Sequence, residues 1–241
     1  MTELEMKKYS RNALLGSFVS MLTAGLATMM YSVSISTIRT DLALTAVQAG
    51  SLGTYTFMGQ MLGGMVAGYL ADRYGRKNIL IVDVILATLA VFATSLLQSY
   101  SIFGILRFIT GVGLGGCYYI ASILIGEFVP TNKRGFMSGV ATSVWNFGYV
   151  VCCAMSAFAL PSIGWRWCFR ICALPIVFVI FMIFGMKDAP SFTAAKANRD
   201  KRDKEEGRKV NAYAEIWSHP RMRKSFIIWS ISMILYFYGY Y

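Results

Sequence analysis

The sequence predicts an all-α membrane protein, a bundle of six spanning helices followed by the start of a seventh. Three observations carry that reading. Apolar runs long enough to span a bilayer recur along the 241 residues. Charged residues make up only 15% of the chain and hydrophobic residues 56%, where a soluble domain carries roughly 25% charged residues. The basic residues gather in every second connection between the apolar runs.

The elements follow in order. Segment 1–11 is polar and mixed in charge and reads as a cytoplasmic N-terminal tail. The apolar stretch after it is too long for the core of a cleavable signal peptide. Crossing the hydrocarbon takes about 20 residues of helix. Within a bundle assigned to 12–186, runs of that order lie at Asn12–Ile38, Ala46–Leu70, Asn78–Leu97, Ile102–Ile125, Phe136–Leu160 and Trp167–Met186. Residues 187–225 form a basic linker. Its middle, Ala194–Lys209, reads either as a flexible tether or as a short amphipathic helix on the membrane surface. The seventh run, 226–241, has 16 residues, about 24 Å of helix against a hydrocarbon core of about 30 Å. Leu, Ala, Met and Gly dominate the runs without strict alternation, which argues against strands.

The placement of charge sets an orientation. Of the 23 Lys and Arg residues, 19 lie in the tail, in the connection after the second run, in that after the fourth, and in the linker. Arg39, Arg166 and Arg170 are on the opposite side, and Arg107 is inside the fourth run. Basic residues concentrate on the cytoplasmic side of membrane proteins, so the N-terminus and the linker are placed in the cytoplasm and the chain in the cell membrane, inner or plasma. The same pattern removes the case for a nucleic-acid partner. Cys117, Cys152, Cys153, Cys168 and Cys172 all fall in apolar runs without metal or redox spacing and read as small packing residues. The single histidine, His219, is in the linker, and no nucleophile or metal constellation appears. Nothing calls for an enzyme, a cofactor or a metal.

One short turn carries more information than any run. Gly68-Tyr-Leu-Ala-Asp72-Arg73-Tyr-Gly75-Arg76-Lys77 crowds four charges between two apolar runs. Gly68 and Gly75 permit close approach and sharp turning. Asp72 can accept from a helix N-terminus or pair with a cation. This segment resembles the loop G-x-L-x-D-R-x-G-R-[KR] of the major facilitator superfamily. Arg107-Phe-Ile-Thr-Gly111-Val-Gly113-Leu-Gly115-Gly116 is similar to that family's fourth-helix motif R-x-x-x-G-x-G-x-G. Glu127-Phe-Val-Pro130 with Arg134-Gly135 resembles the E-x-x-P…R-G loop of its sugar-porter and organic-acid branches. Gly164-Trp-Arg166-Trp resembles the start of its sixth helix, and Asp188-Ala-Pro190-Ser-Phe192 loosely the element after it.

The resemblance implies a twelve-helix fold in two six-helix halves, of which this chain supplies the N-terminal bundle and the start of helix 7. The expectation is therefore that the C-terminal half is missing here and that the chain alone does not transport. It also implies a cytoplasmic gate of Gly68, Asp72, Arg73, Gly75, Arg76, Lys77, Glu127, Arg134 and Asp188. Gly111, Gly113, Gly115 and Gly116 are read as helix-packing positions, as are Gly59, Gly63, Gly64 and Gly68.

Helix periodicity then nominates a solute path. Ser138, Thr142, Asn146, Tyr149 and Cys153 share one face of the fifth run, and Ser20, Thr23, Tyr31 and Ser34 form a weaker stripe on the first. An intramembrane charge is costly and by default functional. Arg107 is accordingly either an anion ligand or a brace for its helix. The predicted substrate cavity is Tyr31, Arg107, Tyr118, Asn146 and Tyr149, with Arg107 and Tyr118 eleven residues, about three turns, apart on one face. Asp83 reads as an interfacial partner for a Lys or Arg, or as a proton relay. Many organic-acid symporters of the superfamily carry an acidic residue in the first helix; Thr28–Ser32 contains none. The function read from these features is secondary or facilitative transport of a small polar metabolite, an organic acid or sugar-like solute, by alternating access. Its partners are the lipid bilayer, the solute and, in a symport mode, protons or another coupling ion. A non-transporting membrane sensor or interaction protein on the same fold stays open as the alternative.

Overall fold

A computed structural model of the chain describes residues 3–188, 192–193, 197 and 217–240. The reading of Ala194–Lys209 as tether or surface helix falls outside the described residues, Ala197 apart. The chain divides into two compact units, Met1–Thr193 and Ala194–Tyr241. The described residues of both are helical, with no strand among them.

In the first unit α1 runs Glu3–Asp41, α2 Ala46–Tyr74, α3 Arg76–Thr94, α4 Tyr100–Phe128, α5 Arg134–Phe158, α6 Leu160–Cys172 and α7 Val177–Gly185. The polar tail is not separate from the first span, because α1 begins at Glu3. Its Glu, Leu, Met and Lys residues are good helix formers and neither Gly nor Pro interrupts them, so the helix continues past the apolar run. The α1–α2 turn is closed by a capping box: the Thr45 hydroxyl accepts from Gln48 N–H, and the Gln48 side chain accepts from Thr45 N–H.

Among the described residues five segments are long and apolar enough to cross a membrane: Tyr9–Asp41, Arg76–Thr94, Tyr100–Phe128, Thr131–Phe158 and Leu160–Gly185. The second predicted run is not among them. At 29 residues α2 matches α4 in length, but six glycines and Gln48, Thr54, Thr56 and Gln60 dilute its apolar character. Packing supplies what hydropathy lacks, since α2 lies along α4. Backbone meets backbone in that seam. A Cβ at Gly59 would strike Phe108 O, one at Gly63 the Val112 backbone, one at Gly111 Thr56 O and one at Gly115 Gln60 O. Gly113 and Gly116 face α3 instead, against the Asp83 carbonyl and the Asp83 carboxyl respectively. α4 is thus the hub, with one glycine pair for α2 and one for α3. Gly25 on α1 and Gly148 on α5 make a similar approach. Around these seams the core is filled by Met30, Leu52, Phe103, Leu114, Ile120, Leu124 and Phe169, all essentially inaccessible.

Gly68 does not belong to a seam. Nothing lies within 4 Å of where its Cβ would stand. It follows the buried Ala67 and is rotated about 100° out of the α2–α4 contact. The sixth run is not one helix from Trp167 either. It begins at Leu160, with Pro161 in its first turn, a favoured helix-starting position. Gly164 (φ 77°) breaks it, and a short 3₁₀ turn at Leu174–Ile176, around Pro175, separates α6 from α7.

The second unit contains α8, Pro220–Tyr240. It starts six residues before the expected Phe226 and has 21 residues, about 31 Å of helix rather than 24 Å. Pro220 suits a first helical position. Arg221, Arg223 and Lys224 break the apolar pattern without breaking the helix.

Candidate functional site

The charged turn folds around Gly75. Its φ of 103° ends α2 and starts α3, and it is the single residue between them, a conformation that glycine tolerates and side chains resist. α3 has no side-chain cap of its own. The cap comes from Asp188, whose carboxylate accepts from Lys77 N–H at 2.8 Å. The sequence reading offered Asp72 either a helix terminus or a neighbouring cation; Asp188, 111 residues away in sequence, takes the helix terminus and Asp72 the cation. Asp72 lies 3.5 Å from Arg76, one turn along, and Arg76 also pairs with Glu127 of α4. Lys77 Nζ donates to Ile183 O at 2.6 Å and joins α3 to α7.

Two members of the predicted cluster stand elsewhere. Arg73 donates to the Tyr69 hydroxyl at 3.0 Å, because its side chain runs back along α2. Arg134 donates to Val129 O at 3.0 Å and covers the last carbonyls of α4. A Cβ at Gly75 would sit 2.5 Å from the Asp188 carboxylate as well as in a strained backbone region. Gly75→Ala is therefore expected to destabilise the bundle by about 1–3 kcal/mol, read as a lower melting temperature in detergent.

The intramembrane Arg107 is 1% exposed. Its guanidinium lies over the rings of Tyr31 (4.9 Å) and Phe169 (5.4 Å). Nε and Nη2 are buried without a hydrogen-bond partner among the described residues, and no carboxylate there pairs with it. Tyr31 is fixed by donating its hydroxyl to Ala49 O at 2.5 Å. Arg107 and Tyr31 line a cavity of about 240 Å³ between α1, α2 and α4, with Thr28, Ser32, Thr56 and Phe57.

Tyr118, Asn146 and Tyr149 are not in that cavity. Tyr118 shares a face with Arg107 but lies about 16 Å further along the axis, exposed and edge-on to Tyr119. Asn146 and Tyr149 sit on α5 in an exposed row with Ser138, Thr142 and Cys153. Within that row Asn146 donates to Thr142 O and Thr142 to Ser138 O. The weaker stripe on α1 divides. Ser20, Thr23 and Ser34 are buried against other helices, and Ser20 and Thr23 bond to backbone carbonyls. The cavity side of α1 is Thr28, Tyr31 and Ser32. Thr28 and Ser32 are one turn apart, a signal the sequence already contained. Asp83 has no Lys or Arg partner among the described residues. It is buried, with Oδ2 unbonded, where Gly116 leaves space for its carboxyl.

At the opposite end of the bundle Asp41 accepts from Arg166 (2.6 Å) and from the Trp165 indole (3.0 Å). These bonds pin the end of α1 to α6.

A family model described as Major Facilitator Superfamily matches residues 17–241. The cis,cis-muconate transport protein of Acinetobacter baylyi is 30% identical over 229 residues, which is 95% of this chain and 55% of that protein. The niacin transporter NiaP of the same organism is 32% identical over 169 residues, 70% of this chain and 38% of that protein. The chain thus spans about half the length of the curated relatives it matches, or less. Among solved structures, the inward-open xylose transporter XylE from E. coli superposes with a TM-score of 0.68 at 20% identity, over 90% of this chain and 56% of that one.

Proposed function

This chain belongs to the major facilitator superfamily and carries the N-terminal half of its fold, and from that premise we propose that it forms one wall of an alternating-access path for a small organic acid or sugar-like solute. The exposed row of Ser138, Thr142, Asn146 and Tyr149 carries the proposal. Polar groups on a spanning helix are costly against lipid, so this face belongs to water, solute or an opposing half. Arg107, in the cavity between α1, α2 and α4 and without a carboxylate partner among the described residues, favours anionic solutes, and the names of the muconate and niacin relatives point the same way. Asp72, Arg76, Glu127 and Asp188 act in this reading as a cytoplasmic network that holds the ends of α2, α3, α4 and α7 in one state.

Reconstitution in liposomes with labelled muconate, nicotinate and xylose tests the reading. The six-helix half alone is expected to give no saturable uptake. Co-expression with the C-terminal half of the muconate relative is expected to restore uptake. Uptake by the half alone would overturn the need for an opposing wall. No uptake with a co-purifying second half would favour the non-transporting sensor.

Orientation has its own check. Lys133 is exposed in the α4–α5 connection. In a background with Cys153 replaced by serine, Lys133→Cys is expected to resist an impermeant maleimide in intact cells and to react after permeabilisation. Ready labelling of intact cells would reverse the topology.

A further inference from the structure

A second cavity, of about 400 Å³, opens between the first turns of α1 and the end of α7. Its two halves differ in chemistry. At the rim stand Lys187, Tyr9 and Asn12. The Lys187 ammonium lies 4.2 Å from the centre of the Tyr9 ring, and exposed Arg11 precedes Asn12 in sequence. Asn12 donates to Gly185 O at 2.7 Å and so covers a terminal carbonyl of α7 that would otherwise repel an anion. The neighbouring Asp188 is turned to Lys77 N–H. Below the rim the lining is apolar. Ile180 and Phe184 are 64% and 84% exposed and one turn apart on the same face of α7, with Phe181 beside them.

We propose that this groove binds an anionic phospholipid, with its phosphate against Lys187 and Tyr9 and one acyl chain along Ile180, Phe181 and Phe184. The order of the chemistry selects the occupant. A free anion has no use for the apolar lower half, and an apolar solute has none for the lysine. A phospholipid presents charge above hydrocarbon in the same sequence, at the level where lysine and tyrosine side chains sit in a membrane protein. Basic residues at such a surface each contribute about 1 kcal/mol toward anionic headgroups. The inference is independent of transport.

The test uses the chain in vesicles of equimolar phosphatidylglycerol and phosphatidylcholine, each in turn carrying a photoreactive acyl chain. Crosslinks from phosphatidylglycerol are expected to concentrate in residues 9–12 and 180–184, more than those from phosphatidylcholine. Even labelling around the bundle, or equal labelling by both lipids, would overturn the proposal. Lys187→Gln is expected to lower the phosphatidylglycerol preference about fivefold, while Lys133→Gln, at the same end of the bundle, leaves it in place. Equal loss in the two variants would reduce the effect to general surface charge. Inorganic phosphate at millimolar concentration is expected not to displace the crosslinks; displacement would make the ligand a free anion and the lipid assignment wrong. The wild-type crosslinking pattern decides the matter even where a variant does not fold.

Discussion

Gly115→Val is expected to cost about 3 kcal/mol or more and to remove most of the folded protein. Overpacking typically costs about 1–3 kcal/mol, and more where neighbours cannot yield. At Gly115 the neighbours are backbone: a Cβ would overlap Gln60 O and approach Gly64 N to 2.6 Å. Main-chain atoms of α2 cannot rotate aside as a side chain does, so the α2–α4 seam has to open. Because α2 depends on that seam to stay in the bundle, the loss extends beyond one contact. The control lies about three turns further along the same helix. Nothing is within 4 Å of the Cβ position at Gly126, so Gly126→Ala should stabilise by up to about 1 kcal/mol through helix propensity. Thermal melting of the purified variants in one detergent reads both signs. Equal effects at the two positions would sink the seam argument.

Arg107→Met is expected to raise the melting temperature in the absence of solute and to abolish any response to carboxylates. Two buried nitrogens lack partners among the described residues, at roughly 1–3 kcal/mol each, and a buried charge without a counter-ion there adds several kcal/mol more. The rings of Tyr31 and Phe169 return about 2 kcal/mol each. A net gain of about 2 kcal/mol for methionine corresponds to roughly 4–8 °C in a chain of this size. A carboxylate at one hundred times its dissociation constant should stabilise the wild type by about 2.7 kcal/mol and leave the variant unmoved. A variant that melts lower, or that still responds to benzoate or muconate, would make Arg107 a brace rather than an anion site.

The two regions of the site differed in how far their residues could be read without coordinates. The charged turn was legible because its residues are consecutive; Asp72, Gly75, Arg76 and Lys77 have little freedom to be far apart. Even there, periodicity could not tell that Asp188 would cap α3, since that bond closes a loop of 111 residues. The cavity was legible only at Tyr31 and Arg107. A stripe gives a face of one helix but not its neighbour: the row on α5 is exposed, whereas Ser20, Thr23 and Ser34 on α1 are covered. The break between α6 and α7 was hidden by a continuous apolar run, although Pro175 was in view.

The poor coverage of α5 has a consequence for how the protein is made. Its segment is the least apolar of the five candidate spans, and the bundle buries little of it. A helix of that kind gains little from lipid alone when the insertion machinery offers it the bilayer. Its main purchase is on α1, where Gly25 and Gly148 let the two backbones meet. α1 must therefore still be held nearby when α5 emerges. A bulky residue at Gly25 is accordingly a defect of biogenesis, visible as a skipped span and an inverted α5–α6 connection.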